Sequence, residues 1–144
     1  GLDPAQHDFI YGDVFDWLRR FAKKSRQFDV IVLDPPTFSQ SKAQGMFRAT
    51  QDYGRLVDLA LLLLKPGGVL IVADHSARTG AGVGATKTLH RIEESSVIAE
   101  IEATGFQLVA KGDFLRHPQD QRDVIVFRAP TPVDEFVLKF RKPQ

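Results

Sequence analysis

The sequence predicts an α/β domain with a mostly parallel sheet and an antiparallel C-terminal edge. Two apolar runs without alternation, "FDVIVLD" at 28–34 and "GVLIVAD" at 68–74, are typical of buried strands, and stretches with helical periodicity alternate with them. Strands that alternate with helices form parallel sheets through right-handed crossovers. Further apolar runs near the C-terminus indicate strands that close one edge. At 144 residues the chain fits one domain, 1–144.

The first predicted elements are a strand and a helix. "HDFIYGD" at 7–13 predicts a short strand, and Asp13 is placed to cap the helix predicted over 14–24. Apolar residues at three- and four-residue spacing give this helix one buried face: Phe15, Leu18, Phe21 and Ala22. The run at 28–34 follows and, being rich in β-branched residues, predicts a strand covered on both faces.

The remaining elements follow in order along the chain. A polar loop leads to a helix over 51–64, which "KPGG" at 65–68 ends because proline cannot continue it. After the strand at 68–74 come a glycine-rich loop and a helix over 92–104. Three apolar segments in the tail predict antiparallel strands, at 106–115, 123–129 and 135–141.

Composition excludes several classes of function. The chain has no cysteine, which excludes disulfides, thiolate nucleophiles and cysteine metal sites. The longest uncharged apolar run, "LALLLL" at 59–64, is far shorter than the roughly 20 residues of a membrane span. The N-terminus does not resemble a secretion signal, so a cytoplasmic location is expected.

Charge gives no general argument for a polyanion partner, since Lys and Arg number 19 against 18 acids. The basic cluster Arg19, Arg20, Lys23, Lys24 and Arg26 lies at the end of the first predicted helix. It is either a solvated face that complements the helix dipole or a patch that contacts RNA.

Polar residues follow the predicted parallel strands. In such sheets ligands bind outside the carboxyl ends of the strands, so Gly12-Asp13, 34–36 and Asp74-His75 should line one crevice. The two prolines after Asp34 fix the backbone, so that its carboxylate and the Pro35 carbonyl can accept hydrogen bonds from a bound amino group. A plain turn is the alternative. His75 is either a general base or a structural histidine.

Three segments resemble class I S-adenosylmethionine-dependent methyltransferases, especially bacterial large-subunit rRNA methyltransferases with a DPPxF motif. They are "GDVFDWL", "FDVIVLDPPTFSQSK" and "DYGRLVDLALLLLKPGGVLIV", and the resemblance covers 2–73. It implies a Rossmann-like fold and S-adenosylmethionine as methyl donor. It also implies that Gly12, Asp13 and Val14 contact the donor adenine. The residues that face the donor methyl group and the acceptor would be Asp34, Pro35, Pro36 and Phe38.

The absence of cysteine favours transfer to nitrogen or oxygen over cysteine-dependent transfer to carbon, with RNA or a small molecule as acceptor. The family's earlier elements, the first two strands with a glycine-rich donor loop, do not precede "GLDPAQHDF". We therefore expect weak or absent donor binding. The alternative is a non-catalytic fragment that completes its sheet as a homo-oligomer.

The second half resembles a different group of predicted methyltransferases, over 66–144. The segments that carry it are "DHSARTGAGVG", "LHRIEESSVIAEIEATGF", "LRHPQD" and "EFVLKFRKP". Because the two resemblances meet near "KPGG", the sequence predicts a recombined or engineered chain, with an unusual natural lineage as the alternative.

Other polar motifs carry weaker expectations. "GAGVG" at 80–84 could bind a nucleotide, cover a substrate as a mobile loop or simply connect two elements, and its distance from the strand end disfavours the first. His90-Arg91 and Arg116-His117 could contact a carboxylate or phosphate, although surface or capping roles are favoured. No metal site is expected, since no ligand spacing links the candidates Asp74, His75, Asp113, His117 and Asp120.

Overall fold

A computed structural model describes residues 3–35, 38–41 and 45–144, with side chains described for 3–35 and from Tyr53 onward. The predictions for Pro36 and for the side chain of Phe38 lie outside these residues.

A four-stranded sheet forms the centre of the domain. Its order is β1-β4-β6-β5, with β1 parallel to β4 and β6 antiparallel to both of its neighbours. Three of the four strands therefore run in one direction, which confirms the α/β class and the antiparallel C-terminal edge. A separate antiparallel pair, β2 with β3, follows β1. The strands are β1 (Phe28–Leu33), β2 (Phe38–Ser41), β3 (Gly45–Arg48), β4 (Leu64–His75), β5 (Gln107–Gly112) and β6 (Glu135–Arg141).

Four helices accompany the strands: α1 (Val14–Lys23), α2 (Ala49–Leu63), α3 (Thr86–Leu89) and α4 (Glu94–Ala103). The predicted cap of α1 is confirmed, because Oδ1 of Asp13 accepts a hydrogen bond from the Asp16 amide at 3.1 Å. Short 3₁₀ turns lie at Pro4–Gln6 and Val126–Arg128.

The hydrophobic core lies between the sheet and helices α2 and α4. Side chains along β4 alternate between buried and half-buried positions, as expected for a central strand with one well-covered face. The fully buried members of the core come from both helices, from the central strands and, at Ile92, from the segment before α4: Tyr53, Val57, Ala60, Leu64, Leu70, Val72, Ile92, Val97, Ile101, Phe136, Leu138 and Phe140.

The prediction of a strand at 7–13 is wrong. These residues have no strand structure, and Phe9 is 83% exposed. A strand forms only where its backbone groups find a neighbouring ladder, and no ladder pairs with this segment in the part of the chain that the structure describes.

The prediction that β1 is covered on both faces is also wrong. Val30 is 51% and Val32 63% exposed, whereas Leu33 is buried in the core. Strand β1 is the edge of the sheet, and among the described residues the core lies on one of its faces only. The apolar run predicted burial correctly for the core side alone.

"KPGG" follows the end of α2, as predicted, and forms a bulge near the start of β4. Pairing runs from Phe28 with Leu64 directly to Val30 with Val69, so residues 65–68 bulge out opposite a single residue. A Cβ at Gly68 would lie 2.8 Å from the Lys65 carbonyl oxygen, which requires glycine there.

The strand predicted at 123–129 is wrong as well. This segment contains the 3₁₀ turn Val126–Arg128. Its Val124 carbonyl accepts a hydrogen bond from Nε of Arg91 at 3.0 Å, and Val126 is buried. The segment is thus fixed by a buried arginine and not by a strand ladder.

Candidate functional site

Two acidic residues lie at the carboxyl ends of two neighbouring strands. Asp34 follows β1, Asp74 lies near the end of β4, and the two strands are parallel with Leu33 paired to Val72. The carboxyl ends of parallel neighbours meet at one edge. Asp34 is exposed and its charge raises the pKa of Asp74. This edge, from Asp34 to Asp74, is called the acidic edge below.

Asp74 is the most perturbed carboxyl group of this edge. Its side chain is 3% exposed, and burial raises its pKa to about 7, with smaller contributions from the charges of Asp34 and Glu135. Oδ1 accepts a hydrogen bond from the His75 amide at 2.7 Å, which opposes that rise. Oδ2 is buried and has no hydrogen-bond partner among the described residues. Buried polar atoms without partners are uncommon in folded proteins, which makes Asp74 a candidate functional group.

Tyr53 of α2 presents a second buried polar atom to this region. Its side chain is fully buried, and its hydroxyl has no hydrogen-bond partner among the described residues. Burial raises the pKa of Tyr53 well above its usual value, and the charges of Asp74, Glu100 and Asp34 add to the effect. Sequence analysis missed Tyr53, because an aromatic residue inside an apolar helix predicts only core packing.

His75 lies opposite Glu135 in the sheet. Its Nε2 is 3.7 Å from Oε1 of Glu135, and the two residues are paired in the register of β4 and β6. The imidazole is about one third exposed, so it reaches solvent at the acidic edge. Both interpretations of His75, as general base and as structural residue, are compatible with this position.

The segment Gly12–Val14 lies at the start of α1. One oxygen of the Asp13 carboxylate is used by the helix cap, and the nearest atom to a Cβ built on Gly12 is Nε1 of Trp17, at 2.9 Å. The structure thus brings Asp34, Asp74 and His75 to one edge, while the role predicted for Gly12, Asp13 and Val14 stays a prediction.

The glycine-rich loop at 80–84 is bound to a residue of the same chain. The Gly82 amide donates to Oε2 of Glu93 at 2.7 Å, and the Glu93 amide donates to the Gly82 carbonyl at 3.0 Å. Hydrogen bonds from the Gly82 and Gly80 amides lower the pKa of Glu93. Since a carboxylate occupies these amides, the arrangement favours a connector over a nucleotide-binding loop.

Arg91 is the largest fully buried side chain of the described residues. It forms a bidentate ion pair with Asp120, at 2.7 and 3.2 Å, and also donates to the carbonyl oxygens of Ser76 and Val124. The predicted surface role for Arg91 is therefore wrong. Its burial depends on Asp120 and Val124, which are about 30 residues away along the chain, so sequence position alone could not predict it.

Asp134, which directly precedes β6, extends this network beside the end of β4. It is 1% exposed, accepts a hydrogen bond from the His117 amide at 2.7 Å and pairs with Arg116 and Arg122. Arg116 also contacts Glu94 of α4. These charges tie the loop after β5 to the sheet, and Arg116 contacts carboxylates of this chain.

The described residues contain neither a cluster of metal-ligating side chains nor a helix that could span a membrane. Among the described residues, no group of three or more His, Cys, Asp or Glu side chains comes together as a metal site would require. None of the helices in that part of the chain is both long and apolar enough to cross a bilayer.

Sequence comparison relates the chain to rRNA methyltransferases, although no family model matches it. It is 51% identical over 71 residues to ribosomal RNA large subunit methyltransferase I of Aeromonas salmonicida, covering 49% of this chain and 18% of that protein. It is 33% identical over 120 residues to ribosomal RNA large subunit methyltransferase K/L of Chromohalobacter salexigens, covering 81% of this chain and 14% of that protein. The chain thus spans less than a fifth of the length of these relatives.

Solved structures give the fold. SMU.776 complexed with SAH matches with a TM-score of 0.61 at 20% identity, over 90% of this chain and 30% of that one. The N-methyltransferase NodS from Bradyrhizobium japonicum matches with a TM-score of 0.52 at 17% identity, over 83% of this chain and 53% of that one. The chain has the Rossmann-like fold of class I methyltransferases. The resemblance of 2–73 to the rRNA methyltransferases is confirmed.

The relation of this methyltransferase-fold chain to the K/L enzyme also bears on its second half. A match over 120 of 144 residues necessarily crosses Lys65–Gly68, because the flank on either side is shorter than the match. Similarity to an rRNA methyltransferase therefore does not stop at that turn. A recombined chain stays a prediction.

Proposed function

We propose that this chain carries the acceptor side of a methyl-transfer site, which acts on a nitrogen or oxygen atom with S-adenosylmethionine as donor. The observation that carries the proposal is the acidic edge, with exposed Asp34 beside buried Asp74, on a methyltransferase fold. RNA is the favoured acceptor because the relatives that match are rRNA methyltransferases, and a small molecule is the alternative. An RNA acceptor agrees with the cytoplasmic location expected from the sequence.

The residues of the acidic edge suit this chemistry. Bound S-adenosylmethionine supplies a methyl group on a positively charged sulfur. The carboxylate of Asp34 and the carbonyl of Pro35 accept hydrogen bonds from the acceptor and so direct its lone pair, and alignment of this kind contributes much of the rate of a displacement. In the proposal His75, which is partly exposed beside Glu135, takes the proton that the acceptor loses. The negative charge of Asp34 and Glu135 favours a cationic donor at this edge.

Donor binding by this chain alone should be weak. In the proposal Gly12, Asp13 and Val14 contact the adenine, and Asp34 lies on the methyl side. The Asp13 carboxylate accepts the capping bond of α1 through Oδ1, so the helix cap and the adenine would share this one side chain. We therefore expect millimolar concentrations of donor to be needed.

Transfer of a labelled methyl group tests the proposal. With ribosomal RNA as acceptor and millimolar S-adenosylmethionine, the chain should label the RNA slowly, and D34N should lower the rate at least tenfold because the amide no longer accepts as a charged group. D58N, at an exposed position of α2, is the matched control and should leave the rate unchanged. Equal rates in D34N and the unaltered chain would remove Asp34 from the site.

A second candidate is a non-catalytic methyltransferase-fold chain that completes its sheet by forming a homo-oligomer. The open edge of β1 favours it, because Val30 and Val32 are both more than half exposed. Long apolar edge strands readily pair with another chain. A stable oligomer in light scattering that labels no RNA at any donor concentration would support this candidate over the first.

A further inference from the structure

A groove lies between α1 and the segment that precedes it. It has a volume of about 510 Å³ and is lined on one side by residues 7–10. Helix α1 and the turn after it form the other wall, with Trp17, Arg20 and Phe21 on the helix and Lys24 and Arg26 in the turn. This Trp17 groove thus combines aromatic rings with cations, and the acidic edge contributes none of its residues.

The aromatic rings of the groove are held in place by their neighbours. The centroids of Trp17 and Phe21 are 5.8 Å apart, and Phe21 packs edge-on to Phe28 at 5.7 Å. Nε1 of Trp17 donates to the Tyr11 carbonyl at 3.3 Å, which fixes the indole plane. Phe9 stands opposite and is 83% exposed. A flat apolar ligand can therefore stack against preformed ring surfaces.

Three cations line the groove against one carboxylate, that of Asp8, so its net charge favours an anion. The guanidinium of Arg20 lies 5.0 Å from the centre of the Trp17 ring, and that of Arg26 lies 5.3 Å from the centre of Phe21. Within the part of the chain that the structure describes, no carboxylate pairs with Arg20, Lys24 or Arg26, and the acid of α1, Asp16, binds Arg19 at 2.8 Å.

We propose that the Trp17 groove binds a segment of single-stranded RNA, with a base stacked on Trp17 and Phe9 and phosphates on Arg20, Lys24 and Arg26. Proteins bind single strands by this combination of stacking and a cationic track. The choice of RNA rests on the proposed function. The groove would then hold the acceptor strand outside the acidic edge. A free nucleotide offers the same base and phosphate chemistry, so the test separates a strand from a single nucleotide.

Trp17 reports binding directly because it is the only tryptophan of the chain. An oligouridylate of about eight nucleotides, within the usual site size, should quench Trp17 fluorescence when a base stacks on the indole. If the three cations neutralise three phosphates, a plot of the logarithm of affinity against the logarithm of salt concentration should have a slope of about −2. Uridine monophosphate, with one phosphate, should bind at least tenfold more weakly.

Matched variants separate the groove from general charge. The triple variant R20Q/K24Q/R26Q should weaken oligouridylate binding at least tenfold and bring the salt slope near zero. K87Q/R128Q/K139Q removes the same charge at exposed positions elsewhere and should change neither. K24Q alone, at an exposed side chain, should give a partial loss and guards against misfolding of the triple variant.

Three results would overturn the proposal: no quenching of Trp17, an equal loss of affinity in the control triple variant, or uridine monophosphate that binds as tightly as the oligomer. All titrations are made without methyl donor. Failure of donor binding or of methyl transfer would therefore refute the proposed function and leave the result for the groove intact.

Discussion

At the scale of single residues, the buried Asp74 carboxyl couples folding to pH. Its pKa in the folded chain is about 7 against 3.8 for the ordinary group. When a carboxyl pKa is raised by folding, the unfolded chain loses its proton first. The stability that Asp74 contributes is therefore complete below about pH 4, is lost as pH rises towards 7 and changes no further above that.

D74N should remove this pH dependence, because an amide stays neutral. The stability of D74N relative to the unaltered chain should rise between pH 4 and pH 8 by on the order of 4 kcal/mol, since one pKa unit corresponds to about 1.4 kcal/mol. Urea denaturation at several pH values measures the difference. D58N, at an exposed aspartate, is the control and should follow the unaltered chain. Parallel curves for D74N and the unaltered chain would show that Asp74 ionises normally.

The Arg91 network makes a second prediction at this scale. R91A leaves the Asp120 carboxylate buried without its bidentate partner, and such a loss costs about 3–5 kcal/mol. The control R78A breaks the exposed pair with Asp123 and should cost about 0–1 kcal/mol. Urea midpoints measure both. Similar losses in R91A and R78A would mean that the buried pair contributes no more than a surface pair.

Some residues of the site could be predicted and others could not. Asp34 and Asp74 were predicted to lie together because parallel strands end at one edge. Tyr53 was not predicted, and Arg91 was expected at the surface or as a cap, because whether a tyrosine hydroxyl or a guanidinium is buried depends on neighbours that are distant in sequence. Tyr53 lies on α2, and Arg91 is paired with Asp120, which lies 29 residues further along the chain.

At the scale of elements, strand β1 makes the clearest prediction. Val30 and Val32 present an apolar face at the open edge of the sheet. Charged side chains on such a surface oppose association. If the chain associates through β1, V30K/V32K should be monomeric in light scattering at concentrations where the unaltered chain is not.

V109K is the control for this variant, because Val109 is 45% exposed on β5 at the other end of the sheet. It should leave association unchanged. Loss of association in V109K but not in V30K/V32K would place the contact at β5.

The sequence predicted helix α1 more accurately than it predicted the strands. Helix α1 was predicted to within a residue, because Asp13 and the apolar spacing act locally. The segments at 7–13 and 123–129 have strand composition, yet neither forms a strand. Strand formation depends on a partner ladder, and composition alone cannot show whether a partner is available.

At the scale of the whole molecule, the acidic edge and the Trp17 groove are two parts of one account. In the two proposals, the edge directs a methyl acceptor and the groove holds the RNA strand to which that acceptor belongs. The order β1-β4-β6-β5 leaves β1 open on one side in the described residues, and Asp34 lies at the end of that strand.

Titration of the ¹⁵N-labelled chain with S-adenosylhomocysteine, followed by NMR, tests whether the donor binds at the acidic edge. We expect fast-exchange shifts at millimolar ligand, concentrated at the amides of Asp34, Asp74 and His75 and of Gly12–Val14. Shifts confined to 80–84, or slow exchange with micromolar affinity and no change at Asp34 or Asp74, would contradict this expectation.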